Sequence, residues 1–365
     1  MSSLSAMRSI LNKFTGRSAG VEISRHFATM VKTKKFIYAK AFEGEPKVTD
    51  FQLVEEELPP LKDGEVLSEA IYHSVDPYMR PYMARYPIGV TMIGGQIAKV
   101  IESKNTAYPV GSTIFGSFGW QTHTIFNPSE HKDPTKSYVL PSFGKHPSSL
   151  GLGVLGMPGN TAYFGFLEIC KPKSGEVVAV TGAAGAVGTL VGQIAKLKGC
   201  KVIGFAGSDD KCSWLTNELG FDHAINYKTE NVSKALRAAA PEGVDCYFDN
   251  VGGQISSQII QQMKDYGRIA VCGSISSYNL DVKDIPQVPI LQPIFVFKQL
   301  QMEGFLVWRY ADKWMEGIKQ MSQWVDSGKI KYHETTTDGF ENLPRALIDM
   351  LRGGNTGKAI VKSSL

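Results

Sequence analysis

The sequence predicts an α/β protein, a doubly wound parallel sheet joined to a β-rich module. Three observations carry that prediction. Between about residue 150 and residue 307, short apolar runs alternate with helical segments of about 10–15 residues, the grammar of parallel βαβ units with helices on both faces. From residue 31 to about 149 the runs are shorter and are broken by Pro59-Pro60, Asp63-Gly64 and Gly94-Gly95, as in strands joined by turns. A glycine-rich turn over residues 182–188 stands between a predicted strand and a predicted helix. A length of 365 residues is enough for about two domains, and 43% hydrophobic residues for a sizeable core.

Residues 1–29 stand apart from the rest. Arg8, Lys13, Arg17 and Arg25 face only Glu22; serine is frequent, and Leu4, Met7, Leu11 and Phe14 fall at helical spacing. Amphipathic, basic, Ser-rich and acid-poor is the composition of a mitochondrial transit peptide, with residues 25–29 as the processing site. The alternatives are a disordered tail, or a start at Met30 that gives a cytosolic product. Beyond it, residues 36–39, 51–54, 65–72 and 97–102 read as strands because β-branched and aromatic residues cluster between turn signals. Residues 176–181 form a strand, 186–198 a helix and 201–206 a strand, with another helix starting near Asp209. Strands recur at 246–249, 268–272 and 303–307, and there is no internal repeat.

Charge and cysteine content exclude several classes. Lys plus Arg is 39 and Asp plus Glu 35, a net +4 that resides mostly in the first 29 residues. The body lacks the basic field that nucleic acid or an anionic membrane needs. The five cysteines are odd in number and form no CxxC pair, which argues against a disulfide framework and a structural zinc site and for a reducing compartment. Residues 105–129 and 147–167 lack acidic and basic side chains, but are too rich in polar residues, Gly and Pro to span a bilayer. A soluble protein is expected.

The chemistry starts at Gly182, Gly185 and Gly188. Gly182 lets the chain turn off its strand, Gly185 lets the backbone approach a pyrophosphate, and Gly188 lets the helix pack on the sheet. Free N–H groups at the helix start, around Ala186 and Val187, would then face the phosphates. A glycine-rich turn without a ligand is the plain alternative. The end of the second strand bears on the nucleotide: it reads Ala206-Gly207-Ser208, with no carboxylate at its tip for a ribose 2′-hydroxyl. Two readings are open. Asp209 is the ribose acid of an NAD site, or Ser208 caps the next helix and Lys211 leans back towards a 2′-phosphate. The missing strand-tip acid favours NADP.

Six blocks carry a family resemblance: residues 75–80 (VDPYMR), 156–165 (GMPGNTAYFG), 185–188 (GAVG), 245–253 (DCYFDNVGG), 268–279 (RIAVCGSISSYN) and 354–362 (GNTGKAIVK). Their order and separations resemble the zinc-independent medium-chain dehydrogenases/reductases, nearest the prostaglandin reductases (leukotriene hydroxydehydrogenases) and plant alkenal double-bond reductases. The resemblance implies a GroES-like β-rich catalytic domain over 30–150, a Rossmann domain inserted over 151–330, and a return to the catalytic domain over 331–365. It also implies a pyrophosphate at Gly185, Ala186, Val187 and Gly188, and a 2′-phosphate at Lys211 and Tyr227. Asn250, the loop Cys272, Gly273, Ser274, Ile275, Ser276, Ser277 and Tyr278, the stretch Phe305, Leu306, Val307 and Trp308, and Asn355 would line the rest of the cofactor.

The implied reaction is NADPH-dependent reduction of the carbon–carbon double bond in an enone or enal, 15-oxoprostaglandins and alkenals included. Hydride goes to the β-carbon, an enolate forms, and a proton reaches the α-carbon; no metal takes part. No Gly-His-Glu block or cysteine cluster of the zinc enzymes is present, and His73, His123, His131, His146 and His333 are scattered. One departure stands out. Family members often carry a tyrosine where this chain has Phe297, which cannot donate a hydrogen bond. Either the cofactor's ribose hydroxyl acts without it, or Tyr78 or Tyr278 takes its place, or activity is reduced. The apolar, proline-containing stretch 285–297 reads as a loop over the substrate pocket or as a subunit interface. The family resemblance also implies a homodimer joined at a sheet edge, for which residues 305–308 are a candidate. A quinone reductase and a non-catalytic NADPH-binding protein are the alternative functions.

Overall fold

The computed structural model describes residues 31–363 apart from 131, 132 and 134; the transit-peptide expectation for residues 1–29 falls outside them. The chain opens with an antiparallel pair, β1 (Lys32–Tyr38) and β2 (Phe51–Glu57). An antiparallel sheet follows from β3 (Val66–Ser74), β4 (Gln96–Ser103), β5 (Thr113–Gly116), β6 (His123–Phe126) and β7 (Ser137–Val139). Helix α1 (Met79–Met83) lies between β3 and β4. β5, β6 and β7 are additional to the predicted strands, because three or four residues are too few to show a period.

The second sheet is parallel throughout. Its strands are β8 (Val177–Thr181), β9 (Lys201–Ala206), β10 (His223–Asn226), β11 (Val244–Asp249), β12 (Met263–Val271) and β13 (Gln301–Gly304), in the order β10-β9-β8-β11-β12-β13. Alternation within the strands makes it two-sided. Val178, Val180, Cys246 and Phe248 pack with α2 (Met157–Phe164), α3 (Gly188–Leu197) and the later α8 (Trp314–Asp326). Ala179, Ile203, Phe205 and Tyr247 pack with α5 (Val232–Ala239) and α6 (Gly253–Ile260) on the other face. α4 (Asp209–Asn217) follows β9, and α7 (Gln292–Lys298) precedes β13. The strand order reverses between β8 and β11, and their carboxyl ends bound a crevice of the kind that holds ligands in open α/β sheets.

After α8 the chain rejoins the first sheet. β14 (Glu334–Asp338) pairs in parallel with β15 (Lys358–Lys362), which pairs antiparallel with β3, and α9 (Leu343–Leu351) lies between them. Among the described residues, no helix is long and apolar enough to cross a membrane.

Two expectations are corrected. The strand predicted at 303–307 is β13 and ends at Gly304, so the sheet edge is Gln301–Gly304 and residues 305–308 are not part of it. Residues 285–297 are not one loop either: 292–298 are helical, with Pro293 in the first turn, where its missing N–H costs no hydrogen bond.

Candidate active site

The glycine turn between β8 and α3 is built for close packing. Gly182 has φ +59°, a left-handed conformation that side chains resist. A Cβ on Gly188 would lie 2.3 Å from the Gly182 carbonyl and 2.8 Å from Ala183 Cα, so only glycine lets α3 start against the strand end. In front of Gly185 the space is open: a Cβ there would meet only the Gly182 carbonyl, at 3.2 Å. Among the described residues, the N–H groups of Ala186, Val187 and Gly188 have no backbone acceptor, and α3 has no acid in its first turn. An unfilled hollow beside unpaired donors at a helix N-terminus fits a dinucleotide pyrophosphate.

A second cluster sits at the end of β9. Ser208 caps α4, its hydroxyl accepting the Lys211 N–H at 3.4 Å, with Asp209 and Asp210 in the first turn. Asp209 Oδ1 accepts from Asn226 Nδ2 at 2.7 Å, so this carboxylate ties β10 to α4 rather than standing ready for a ribose. Lys211 Nζ donates to the Gly353 carbonyl at 2.7 Å. Burial, and then the charge of Lys228, pulls its pKa below the usual lysine range. The Tyr227 hydroxyl and the Lys228 side chain close over Gly207, where a Cβ would lie 2.7 Å from that hydroxyl. Two ammoniums, a phenol and the Ser208 hydroxyl thus gather around the end of β9, a donor set suited to a phosphate. Lys228 is absent from the sequence prediction. Its signal is the parallel register Asn226↔Ala206, which sets residue 228 beside the Gly207 turn.

The crevice wall continues across β11 and β12. Asp249 is buried and accepts from the Thr181 hydroxyl at 3.1 Å, the N–H groups of Val251 and Gly252 at 2.9 Å each and the Ser256 hydroxyl at 2.6 Å. That network holds Asn250, whose side chain donates to the Thr181 carbonyl at 2.7 Å. The loop 272–278 lies over it: the Cys272 and Gly273 N–H groups donate to the Asp249 carbonyl, and the Ser276 hydroxyl to the Val251 carbonyl at 2.6 Å. Ser274 and Ser277 join hydroxyls at 3.0 Å, and the Ile275 N–H donates to the Asn250 carbonyl. Burial pushes the Cys272 thiol up to about 12. Asn355 donates to the Gly357 carbonyl at 2.8 Å, and Gly357 forms a bridge with Gly185, so this asparagine borders the glycine turn.

The two expected tyrosines stand on separate elements, Tyr78 at the start of α1 and Tyr278 at the end of the loop after β12. The Tyr278 hydroxyl accepts the Ser274 N–H at 3.1 Å and donates to no group among the described residues. Tyr78 packs edge-on against Tyr82, with ring centroids 5.3 Å apart. Burial raises the pKa of both Tyr78 and Tyr278, so each stays a hydroxyl donor. Phe297 is 81% exposed on α7, beside an apolar hollow bounded by Pro289, Ile290, Pro293 and Val296. Of residues 305–308, the structure buries Phe305 and Val307 in the core; the Phe305 ring packs on Phe248 at 6.1 Å and fills the space over Gly165. Leu306 is exposed, and Trp308 stacks on Trp314 at 5.5 Å. His73 is a core histidine between the Gln121 carbonyl and the Ser363 hydroxyl. Among the described residues, no group of three His, Cys, Asp or Glu side chains could hold a metal.

Fold and site together define a dinucleotide-dependent oxidoreductase with a parallel-sheet cofactor half and a β-rich partner half. The family description "N-terminal domain of oxidoreductase" matches residues 34–133, and "Zinc-binding dehydrogenase" matches residues 186–325. Prostaglandin reductase 1 of Bos taurus is 51% identical over 337 residues, covering 92% of this chain and all of the bovine protein. The NADP(+)-dependent 2-alkenal reductase of Nicotiana tabacum is 38% identical over 357 residues, covering 92% of this chain and 99% of its own. The structure of CurA from Vibrio vulnificus in complex with NADPH superposes with a TM-score of 0.84 at 36% identity, covering 91% of this chain and 99% of CurA. The chain belongs to the medium-chain dehydrogenase/reductase family, in its zinc-independent branch of prostaglandin and alkenal reductases.

Proposed function

We propose that this protein uses NADPH to reduce the carbon–carbon double bond of α,β-unsaturated ketones and aldehydes, the reaction class in which its relatives are named. The observation that carries the reading is that both halves close on the crevice: Gly357, where the chain rejoins the β-rich half, donates its N–H to the Ala184 carbonyl of the glycine turn at 2.8 Å, and the loop after β12 reaches Gly44 of the β-rich half, where a Cβ would lie 3.9 Å from the Asn279 carbonyl. Gly185, Ala186, Val187 and Gly188 would hold the pyrophosphate, and Ser208, Lys211, Tyr227 and Lys228 the 2′-phosphate. When bound, the cofactor supplies the hydride for the β-carbon. The chain's part is to orient the alkene and to offer a proton where negative charge gathers on the carbonyl oxygen. Tyr278 suits that role, because its hydroxyl accepts the Ser274 N–H and keeps a proton to donate. Tyr78 is the second donor. Steady-state NADPH oxidation with an enal and with a quinone tests the reading; turnover with the quinone alone would defeat it, and so would NADPH binding without turnover of either.

The functional unit in this reading is a homodimer. Among the described residues, β13 has no strand on its outer side, and it is exposed at all four residues. It adjoins a surface where Ile290, Val296 and Phe297 are 80%, 74% and 81% exposed. A second copy pairing edge to edge would cover both. Light scattering on the native chain and on Phe297→Asp tests this: a dimer that becomes a monomer supports it, and a native monomer overturns it. Residues 30–150 and 331–365 would form the catalytic domain and 151–330 the cofactor domain, and residues 1–29 would direct the chain to mitochondria. A fusion of residues 1–29 to a fluorescent protein that stays in the cytosol would remove the last point.

A further inference from the structure

The C-terminal strand reaches both halves of the crevice within two residues. Gly357 donates its N–H to the Ala184 carbonyl at 2.8 Å and bridges Gly185, so it is bonded to the glycine turn itself. Lys358, the next residue, sends its ammonium the other way: to the Val75 carbonyl at 2.7 Å, the Ala359 carbonyl at 2.8 Å and Asp76 Oδ1 at 3.0 Å. Lys358 and Asp76 are each only 4% exposed. The second Asp76 oxygen accepts the Ser74 hydroxyl, and the Val75 N–H donates to the Ala359 carbonyl at 3.2 Å. Tyr78 follows two residues after Asp76 and opens α1.

A lysine ammonium has three protons, and all three are used here, which sets the direction of the contact as well as its length. A buried ion pair is a poor source of stability, because the loss of hydration offsets the attraction; apolar side chains of equal volume would hold the strands as well. What three acceptors around one cation add is register. They place the backbone of residues 74–78 at a set offset from the glycine turn that the neighbouring residue grips.

We infer that Lys358 is a positioning residue for hydride transfer, acting through Asp76 and the Val75 carbonyl to hold the Tyr78 block at its working distance from the dinucleotide turn. The inference rests on the reduction reaction proposed above. Burial lowers the Lys358 pKa and the Asp76 charge opposes that.

Lys358→Met alone would leave the Asp76 carboxylate stranded in the interior, so the decisive variant is the double Asp76→Asn/Lys358→Met, which removes both charges. Four quantities are read on the full chain: kcat and KM with an enal, the isotope effect with 4-deuterated NADPH, the NADPH Kd, and hydrogen exchange over residues 74–83. A kcat lower by about ten- to a hundredfold is expected, the range that a small misplacement of reacting groups produces. The isotope effect on kcat should grow, NADPH Kd should stay within about twofold, and exchange at 74–83 should quicken. A double variant with native kcat and native exchange overturns the inference. So does one whose kcat falls only in step with its folded fraction or its NADPH affinity. The exchange arm needs no turnover. If the native chain oxidises NADPH with no enal, the reduction reading falls alone, and unchanged exchange at 74–83 is what would overturn the positioning role.

Discussion

Lys211→Ala should separate the two nicotinamide dinucleotides. The Lys211 ammonium is already within 2.7 Å of a neutral acceptor, the Gly353 carbonyl, and would exchange it for a charged 2′-phosphate. A hydrogen bond to a charged group contributes about 1.5–3 kcal/mol. At about 1.4 kcal/mol per tenfold, that range is roughly 10- to 150-fold in Kd. Lys211 is half-buried, so solvent screens part of the attraction and the lower half of the range is expected, roughly 10- to 50-fold. Lys228 is exposed, and its loss should cost NADPH only about two- to fivefold. NADH carries no phosphate there and should move by less than about twofold with either variant. The pH dependence has a definite sign. The ammonium is the binding form and its pKa is depressed, so NADPH affinity should decline as pH rises through the region below the ordinary lysine value. NADH affinity should not follow. Fluorescence titrations of both dinucleotides against native and variant chains measure all of this. Equal losses for NADH and NADPH, or no loss for NADPH, would refute the assignment.

Gly188→Ala would push a methyl group to 2.3 Å from the Gly182 carbonyl, and α3 must retreat to relieve it. Urea unfolding should show a loss of about 1–3 kcal/mol, typical of overpacking, with weakened binding of both dinucleotides; native stability and affinity together would count against close packing at this turn. Glu334 is half-buried, and burial raises its pKa against the pull of the Ser149 hydroxyl and of Lys358. Its neutral form is thus favoured in the folded state, a contribution present below the unfolded pKa and lost as pH rises through the folded one. Native stability should therefore fall relative to Glu334→Gln as pH climbs above about 4.5, the ordinary value for a glutamate. Parallel thermal melts of the two proteins across that window would contradict this if their difference stayed constant. Tyr278→Phe should lower kcat with an enal at least about tenfold, the lower range for a positioned proton donor, and leave NADPH affinity within about twofold; an undiminished kcat would pass that role to Tyr78.

What the sequence made legible was local. Gly182, Gly185 and Gly188 announce themselves because strand, turn and helix follow one another within a dozen residues, and the Ser208 cap with its two aspartates needs only four. The shape of the parallel sheet was readable for the same reason, since alternating Val178, Ala179 and Val180 already demand two covered faces. Contacts that cross the chain were hidden. Lys228 joins Lys211 only because β10 lies beside β9, and the Lys358 contact with Asp76 spans 282 residues. The strand at 301–304 was displaced in prediction for a physical reason. The apolar signal lies in Phe305, Leu306 and Val307, whereas an exposed edge strand such as QMEG needs no buried side chains to pair through its backbone.

The Cys272 thiol has a chemical consequence for a protein that handles activated alkenes. An alkene electron-poor enough to accept hydride is equally open to addition of sulfur, and the attacking species is the thiolate. Burial pushes this thiol up to about 12, so it stays protonated at neutral pH. Burial thus keeps the one cysteine of this loop in its weakly nucleophilic thiol form beside the crevice.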